Sequence, residues 1–110
     1  MSITVNLRYT GKEGSAIKFA EEMTSSGTVD LISAEAGNLR YEYYRSFEDP
    51  ETVLLIDSWK DQASLDAHHA SPMMQTIMQL REKYDLHMRA ELYTQENEAV
   101  SAADASFITK

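Results

Sequence analysis

Several stretches of the chain alternate apolar and polar residues, which is the pattern of a β-strand that buries one face. The first covers residues 2–10 and the second 38–47, and a turn at 48–51 joins the second to the apolar run "TVLLIDSW" to form a hairpin. A last strand is predicted over "DLHMRAELYT". The predicted apolar faces are Ile3, Val5, Leu7 and Tyr9 in the first strand, Leu39, Tyr41 and Tyr43 in the second, and Leu86, Met88, Ala90 and Leu92 in the last.

Apolar residues at helical spacing fill the intervals between these strands. The predicted helices begin at Ser15, at residue 28, at residue 62 and at Pro72. Ser15, Asp61 and Ser71 stand where an N-cap side chain is expected, and Gly37 ends the second helix. The buried stripe of the last helix is predicted to be Met73, Ile77, Leu80 and Tyr84, widened by Met74 and Met78.

The resulting order, β-α-β-β-α-β, predicts an α+β fold of the ferredoxin-like type, with an antiparallel four-stranded sheet and helices on one face. Residues 1–95 would form this domain. The remaining segment, 96–110, is acidic and rich in small residues, and Phe107 and Ile108 are its only large apolar groups. We expect this tail to be either flexible or docked on a partner subunit.

The third strand predicts self-association, because Val53 to Ile56 are four consecutive apolar residues. Both faces of such a strand require burial, whereas helices cover only one face of this sheet. The apolar area left on the other face would approach several hundred Å² in order of magnitude. A second copy packed sheet against sheet would cover it, so we expect a homodimer.

Composition restricts the partners and the chemistry. Ten Lys and Arg against 18 Asp and Glu give a net charge of −8 over 110 residues, and no basic stripe occurs, so we expect neither a nucleic-acid nor a membrane partner. The absence of cysteine excludes disulfides, thiolate metal sites and a cysteine nucleophile. The N-terminus has no signal-peptide pattern, and we expect a cytoplasmic protein.

The stretch "GNLRYEYYRSFEDPETVLLIDSWKDQASLDAHHASPMM" resembles the antibiotic biosynthesis monooxygenase (ABM) family. The resemblance lies in a Gly-x-Leu-x-Tyr strand, a hairpin that ends in Trp, and the motif Leu-x-x-His-x-x-Ser-Pro, and it extends over about 2–95. The stretch "LREKYDLHM" is typical of one bacterial subgroup. The resemblance implies a dimeric α+β barrel. Its better-studied members are cofactor-independent oxygenases of quinols or hydroxylated polycyclic aromatics, and other branches degrade haem or isomerise small ketones.

A quinol-monooxygenase-like reaction would need no cofactor, because a deprotonated quinol can itself give an electron to O2. The protein then supplies an apolar pocket, a proton acceptor and donors for the anion. We therefore predict a monooxygenase (an oxidoreductase) that acts on a small quinol or hydroxylated aromatic without a metal or cofactor. Two alternatives stay open: a non-catalytic small-molecule-binding module, and an isomerase of the same fold.

The adjacent histidines His68 and His69 are the most distinctive candidates for this chemistry. They lie about 100° apart on a helix, whereas two helical ligands of one metal are spaced i, i+4, so we predict no metal site. His68 occupies the histidine position of the family motif and would be the general base. It would otherwise be a helix-end histidine that bonds to the backbone. His69 is a candidate for substrate contact.

Further candidates for substrate binding come from the strands and the last helix. Trp59 would form a wall of the pocket, or simply a core residue. Asn6 and Arg8 share one face of the first strand, and they would bind the substrate if that face lines the cavity or the partner sheet if it does not. Tyr41 is an aromatic wall candidate. Met73 and Met74 would pack against a planar ligand or belong to the core.

Haem degradation is not expected. The resemblance implies that haem-degrading relatives carry a helix Trp nine residues after the strand Trp and a haem-ligating His ten residues further on. His68 and Met78 occupy these positions in this chain. The ligand to the haem iron is therefore missing.

Overall fold

The computed structural model describes residues 1–96 and 100–108. Its elements are β1 (Ser2–Thr10), α1 (Ser15–Ser25), α2 (Thr28–Ser33), β2 (Asn38–Arg45), β3 (Thr52–Trp59), α3 (Gln62–His69), α4 (Met73–Lys83), β4 (His87–Gln95) and α5 (Ala102–Ala105). The strands form one sheet in the order β2-β3-β1-β4, and every neighbouring pair is antiparallel. This confirms the predicted α+β, ferredoxin-like fold. Among the described residues, no helix is long and apolar enough to cross a membrane.

The strand register sorts the side chains onto two faces of the sheet. Val5 pairs with Asp57 and Leu7 with Leu55, and these residues point towards the helices. The predicted apolar face of β1 is therefore the face that packs on the core. Its partners from the helices include Phe19.

The outer face of the sheet carries the alternate residues of each strand. Leu54 pairs with Arg8, and Ile56 pairs with Asn6. Leu54 and Ile56 are half-buried, whereas Val53 is fully buried on the helix side. The apolar run of β3 is thus divided between the two faces, as its sequence predicted.

The helix ends agree with the prediction at one position and differ at three. The helix α2 ends at Ser33 with Ala34 as its C-cap, before the predicted end at Gly37. Asp61 caps α3, because its carboxylate accepts from the backbone N–H of Ser64 at 2.8 Å. Gly14, in the left-handed conformation, takes the N-cap position of α1 that was predicted for Ser15. Pro72, and not Ser71, is the N-cap of α4, and no side chain caps that helix.

Five positions of the predicted apolar faces are exposed instead of buried. Three of them, Met88, Ala90 and Leu92, lie on the edge strand β4, which borders a cavity and is exposed along most of its length. Met78 is 60% exposed, because the buried face of α4 is narrower than the apolar stripe and is formed by Ile77 and Leu80. Leu39 is 52% exposed, because an irregularity between Asn38 and Arg40 breaks the alternation at the start of β2. A bulge of this kind adds a residue to one strand and moves its side chain off the regular face.

The C-terminal segment follows β4, which ends at Gln95. It contains the one-turn helix α5, and Phe107 and Ile108 are exposed within a single chain. The division of the chain into a domain of residues 1–95 and a tail stays a prediction.

Candidate active site

A cavity of about 270 Å³ lies between the sheet and the helices α3 and α4. Its apolar walls come from β1, α3, α4 and β4. The polar and ionisable side chains that line it are Tyr9, Tyr41, Asp57, His68, His69 and Arg81. The cavity therefore places a small group of titratable residues in mostly apolar surroundings, which is typical of a catalytic or ligand-binding site.

His68 is a buried titratable residue of the cavity that contacts a carboxylate. It is 2% exposed, and its Nδ1 lies 2.9 Å from Oε1 of Glu35. A carboxylate accepts from Nδ1–H, so the neutral ring keeps its proton on Nδ1 and leaves Nε2 as an acceptor. This arrangement equips His68 to take a proton from a molecule in the cavity.

Glu35 was not predicted as a site residue. It lies in the turn after α2, which Gly37 closes in the left-handed conformation with φ of 83°. The backbone oxygen of Gly37 then accepts from the N–H of Lys60 at 2.8 Å, which fixes the turn beside the end of β3. A carboxylate in a turn has no periodicity, so the sequence carried no signal for this contact.

Trp59 contacts two titratable residues of the cavity, His68 and Asp57. Its ring stacks on His68, with centroids 4.8 Å apart and planes inclined by 25°. Its Nε1–H donates to Oδ1 of Asp57 at 2.6 Å. Trp59 is fully buried and lies behind the cavity wall, so it supports His68 and Asp57 from behind.

Asp57 is a buried carboxyl group on the cavity-facing side of β3. It is 4% exposed, and burial raises the pKa of Asp57 above its ordinary value. The hydrogen bond from Trp59 and the nearby His68 and His69 act in the opposite direction on the pKa. Sequence reasoning did not select Asp57, although a charged residue on the apolar face of a strand was a usable signal.

Two tyrosine hydroxyls of the cavity stay protonated. Burial raises the pKa of Tyr9 to about 12, although Arg81 opposes the rise. Burial also raises the pKa of Tyr41, and the neighbouring Tyr43 adds to this effect. The rings of Tyr41 and Tyr43 meet edge to face at 6.0 Å. Both cavity tyrosines therefore offer neutral hydroxyl groups at neutral pH.

The residues predicted to bind substrate fall into two groups. Tyr41, His69 and Met74 line the cavity together with His68. Trp59 lies behind it, and Met73 packs against the core. The roles of all these residues in binding stay predictions.

Asn6 and Arg8 lie elsewhere. Val5 and Leu7 point into the cavity, so the alternation of β1 places Asn6 and Arg8 on the outer face of the sheet. There Arg8 forms an ion pair with Glu91. Of the two locations that the sequence left open for these residues, they occupy the one on the outer face.

A second, larger groove of about 870 Å³ runs between α1 and the edge strand β2. It is open to solvent and contains neither His68 nor Asp57. Within the described part of the chain, no three His, Asp or Glu side chains are grouped so that they would hold a metal ion. The smaller cavity is therefore the candidate active site.

The model of the antibiotic biosynthesis monooxygenase family matches residues 2–80. This chain belongs to that family. No curated protein matches the sequence.

Several solved structures share the fold of this chain. A conserved protein from Methanosarcina mazei is 25% identical, with a TM-score of 0.75 and coverage of 87% of this chain and 94% of that chain. A proposed antibiotic biosynthesis monooxygenase from Deinococcus radiodurans is 16% identical, with a TM-score of 0.76 and coverage of 92% and 97%. A mutant of SnoaB, a cofactor-independent oxygenase from Streptomyces nogalater, is 18% identical, with a TM-score of 0.71 and coverage of 87% and 94%.

Proposed function

We propose that this ABM protein is a cofactor-independent monooxygenase that oxygenates a small quinol or hydroxylated aromatic. The observation that carries the proposal is the buried His68, which lines the cavity and whose Nδ1 contacts Glu35. This contact leaves Nε2 as the ring nitrogen that would accept a proton. His68 would remove the hydroxyl proton of the substrate. The resulting anion is electron-rich enough to give one electron to O2, and the two radicals then combine at a ring carbon.

The other cavity residues support such a substrate. The walls are mainly apolar, which favours an aromatic ligand and excludes water from the anion. The neutral hydroxyls of Tyr9 and Tyr41 and the guanidinium of Arg81 are donors that stabilise an oxyanion. A volume of about 270 Å³ lies below the range of about 300–1,000 Å³ for drug-sized ligands, which favours one or two aromatic rings.

Oxygen uptake measured with a panel of one- and two-ring quinols tests the proposal. Wild-type protein should consume O2, and His68→Ala should lose about 10²–10⁴-fold in rate, the usual contribution of a general base. The control is His87→Ala, a histidine of β4 that does not line the cavity. No uptake by the wild type, or full activity in His68→Ala, would refute the proposal. Turnover without O2 would favour an isomerase, and binding without turnover a binding module.

We also propose that the protein is a homodimer formed through the outer face of the sheet. Leu54 and Ile56 are only half-buried there, and Tyr44 and Tyr93 are 38% and 53% exposed. A second sheet would remove these apolar groups from water. Light scattering at micromolar concentration should give twice the mass of one chain, and Ile56→Lys should halve it. A wild-type monomer would contradict the proposal.

A further inference from the structure

We propose that Asp57 is a second catalytic residue of this cavity, an acid that works together with the base His68. The inference rests on the proposed oxygenase function and assigns the step that His68 alone leaves incomplete. Oxygenation requires a proton to be taken from one atom and another to be given to a departing oxygen. A single histidine in one protonation state cannot do both at once.

The position of Asp57 fits a proton donor. The side chain lines the cavity and is 4% exposed, and Oδ1 is held by the N–H of Trp59 at 2.6 Å. Oδ2 makes no hydrogen bond within the described residues, so it is the oxygen that can carry a proton towards a ligand. The same indole ring stacks on His68, so one rigid, buried side chain fixes both groups relative to each other.

Two carboxyl groups of the site therefore have different tasks. Glu35 lies against Nδ1 of His68 and acts as a positioning residue. Asp57 sits in the cavity wall, where burial favours its neutral form. Pairs of titratable groups in contrasting environments are the usual arrangement for acid and base in one active site.

The step assigned to Asp57 follows the addition of O2 to a ring carbon that still bears hydrogen. The imidazolium of His68, formed when the substrate hydroxyl lost its proton, gives that proton to the peroxide anion and so forms a hydroperoxide. The neutral His68 then removes the ring hydrogen as a proton, and the electron pair of the C–H bond forms a new carbonyl while the O–O bond of the hydroperoxide breaks. The departing oxygen takes the proton of Asp57 and leaves as water. One atom of O2 is then in the product and the other in water, and the His68 imidazolium returns its proton to Asp57 by way of solvent.

The ionisable groups around Asp57 come from every element packed against it. They are Tyr9 of β1, Tyr41 of β2, His68 and His69 of α3, Arg81 of α4, and Glu35 after α2. The tyrosines are neutral, and Glu35 favours the protonated form of Asp57, whereas the two histidines favour the ionised form. Protonation of Asp57 should therefore respond to substitution of either histidine.

The variant that tests the inference is Asp57→Asn, in which the amide oxygen can still accept from Trp59. Asp66→Asn is the matched control, because Asp66 lies on the exposed side of α3 and its carboxylate accepts from the side chain of Gln62. Oxygen uptake with the most active quinol is measured from about pH 5 to about pH 9. Fluorescence of Trp59, the only tryptophan, is titrated over the same range because its N–H contacts Asp57 directly.

We expect Asp57→Asn to lower kcat by about 100-fold, to leave KM within about twofold, and to abolish the fall in kcat at high pH. A fluorescence transition of the wild type should also disappear in this variant and persist in Asp66→Asn. Wild-type kcat with an unchanged pH profile in Asp57→Asn would overturn the inference and leave the oxygenase proposal intact. No oxygen uptake by the wild type would overturn the proposed function and this step with it.

Discussion

Removal of the Glu35 carboxylate should lower the free energy of unfolding, and the loss should come entirely from the broken contact with His68. The side chain of His68 is 3% exposed and that of Glu35 16%, and their contact is 2.9 Å long. In Glu35→Ala, the buried Nδ1–H of His68 loses its acceptor. An unsatisfied buried donor costs about 1–3 kcal/mol, which we take as the expected loss in the free energy of unfolding.

A double-mutant cycle separates this contact from other effects of the substitution. His68→Phe keeps a planar ring against Trp59 but removes both ring nitrogens. In that background, Glu35→Ala should change the free energy of unfolding by less than about 0.5 kcal/mol, because no donor is left unpaired. The coupling energy should accordingly be about 1–3 kcal/mol.

Urea unfolding followed by circular dichroism measures all four proteins of the cycle. A loss of 1 kcal/mol corresponds to a fall of about 4 °C in Tm for a domain of this size, so thermal unfolding provides a second measurement. Glu48→Ala is the control, because Glu48 is an exposed residue of the hairpin turn. Equal losses from Glu35→Ala in both backgrounds would refute the contact as a stabilising interaction.

Three further predictions concern two glycines with left-handed backbone, the buried carboxyl group of Asp57, and the binding of haem. Gly14→Ala should lower the free energy of unfolding by about 1–2 kcal/mol. The left-handed backbone is the cause, because an added Cβ would have no atom within 4 Å. Gly37→Ala should cost more in the same denaturation assay, because its Cβ would lie 2.6 Å from Cβ of Ser64, and equal losses would contradict this. Burial raises the pKa of Asp57, so the folded protein binds this proton more tightly than the unfolded chain. Urea unfolding should show the wild type losing stability relative to Asp57→Asn as the pH rises above about 4, and the opposite trend would contradict the sign. Titration with haemin should give no stoichiometric Soret shift, and tight binding would overturn the exclusion of haem chemistry.

The fold could be predicted from the sequence because its signals are local and periodic. Alternation in β1 and the Asp61 cap each depend on residues within a few positions of one another. The predictions failed where a local irregularity interrupts the period, as at Leu39, and where an apolar stripe is wider than the face that is buried, as at Met78. They also failed on the edge strand β4, where Leu92 is exposed.

The candidate site was predictable only in part. His68 was selected by its motif. The alternation of β1 put Asn6 and Arg8 on one face of the strand but did not show whether that face lines the cavity. Only the packing of the helices on one face of the sheet decided this. Along the chain, Glu35 lies 33 positions from His68 and Asp57 lies 11 positions from it. The place of both residues in the site therefore depends on contacts between distant parts of the sequence. Such contacts are set by tertiary packing, which brings a turn, a strand end and a helix to one point. Asp57 alone left a trace in the sequence, as a charge on an apolar strand face.

The most direct test of the central claim is the protonation of the His68 ring, observed by nitrogen-15 NMR at a pH where the imidazole is neutral. The hydrogen bond to Glu35 predicts a proton on Nδ1 and a bare Nε2 that can accept a proton in the cavity. Glu35→Gln, which can also donate to Nδ1, should reduce the population of this tautomer. A proton on Nε2 in the wild type would contradict the account, because His68 would then have no acceptor to offer a ligand.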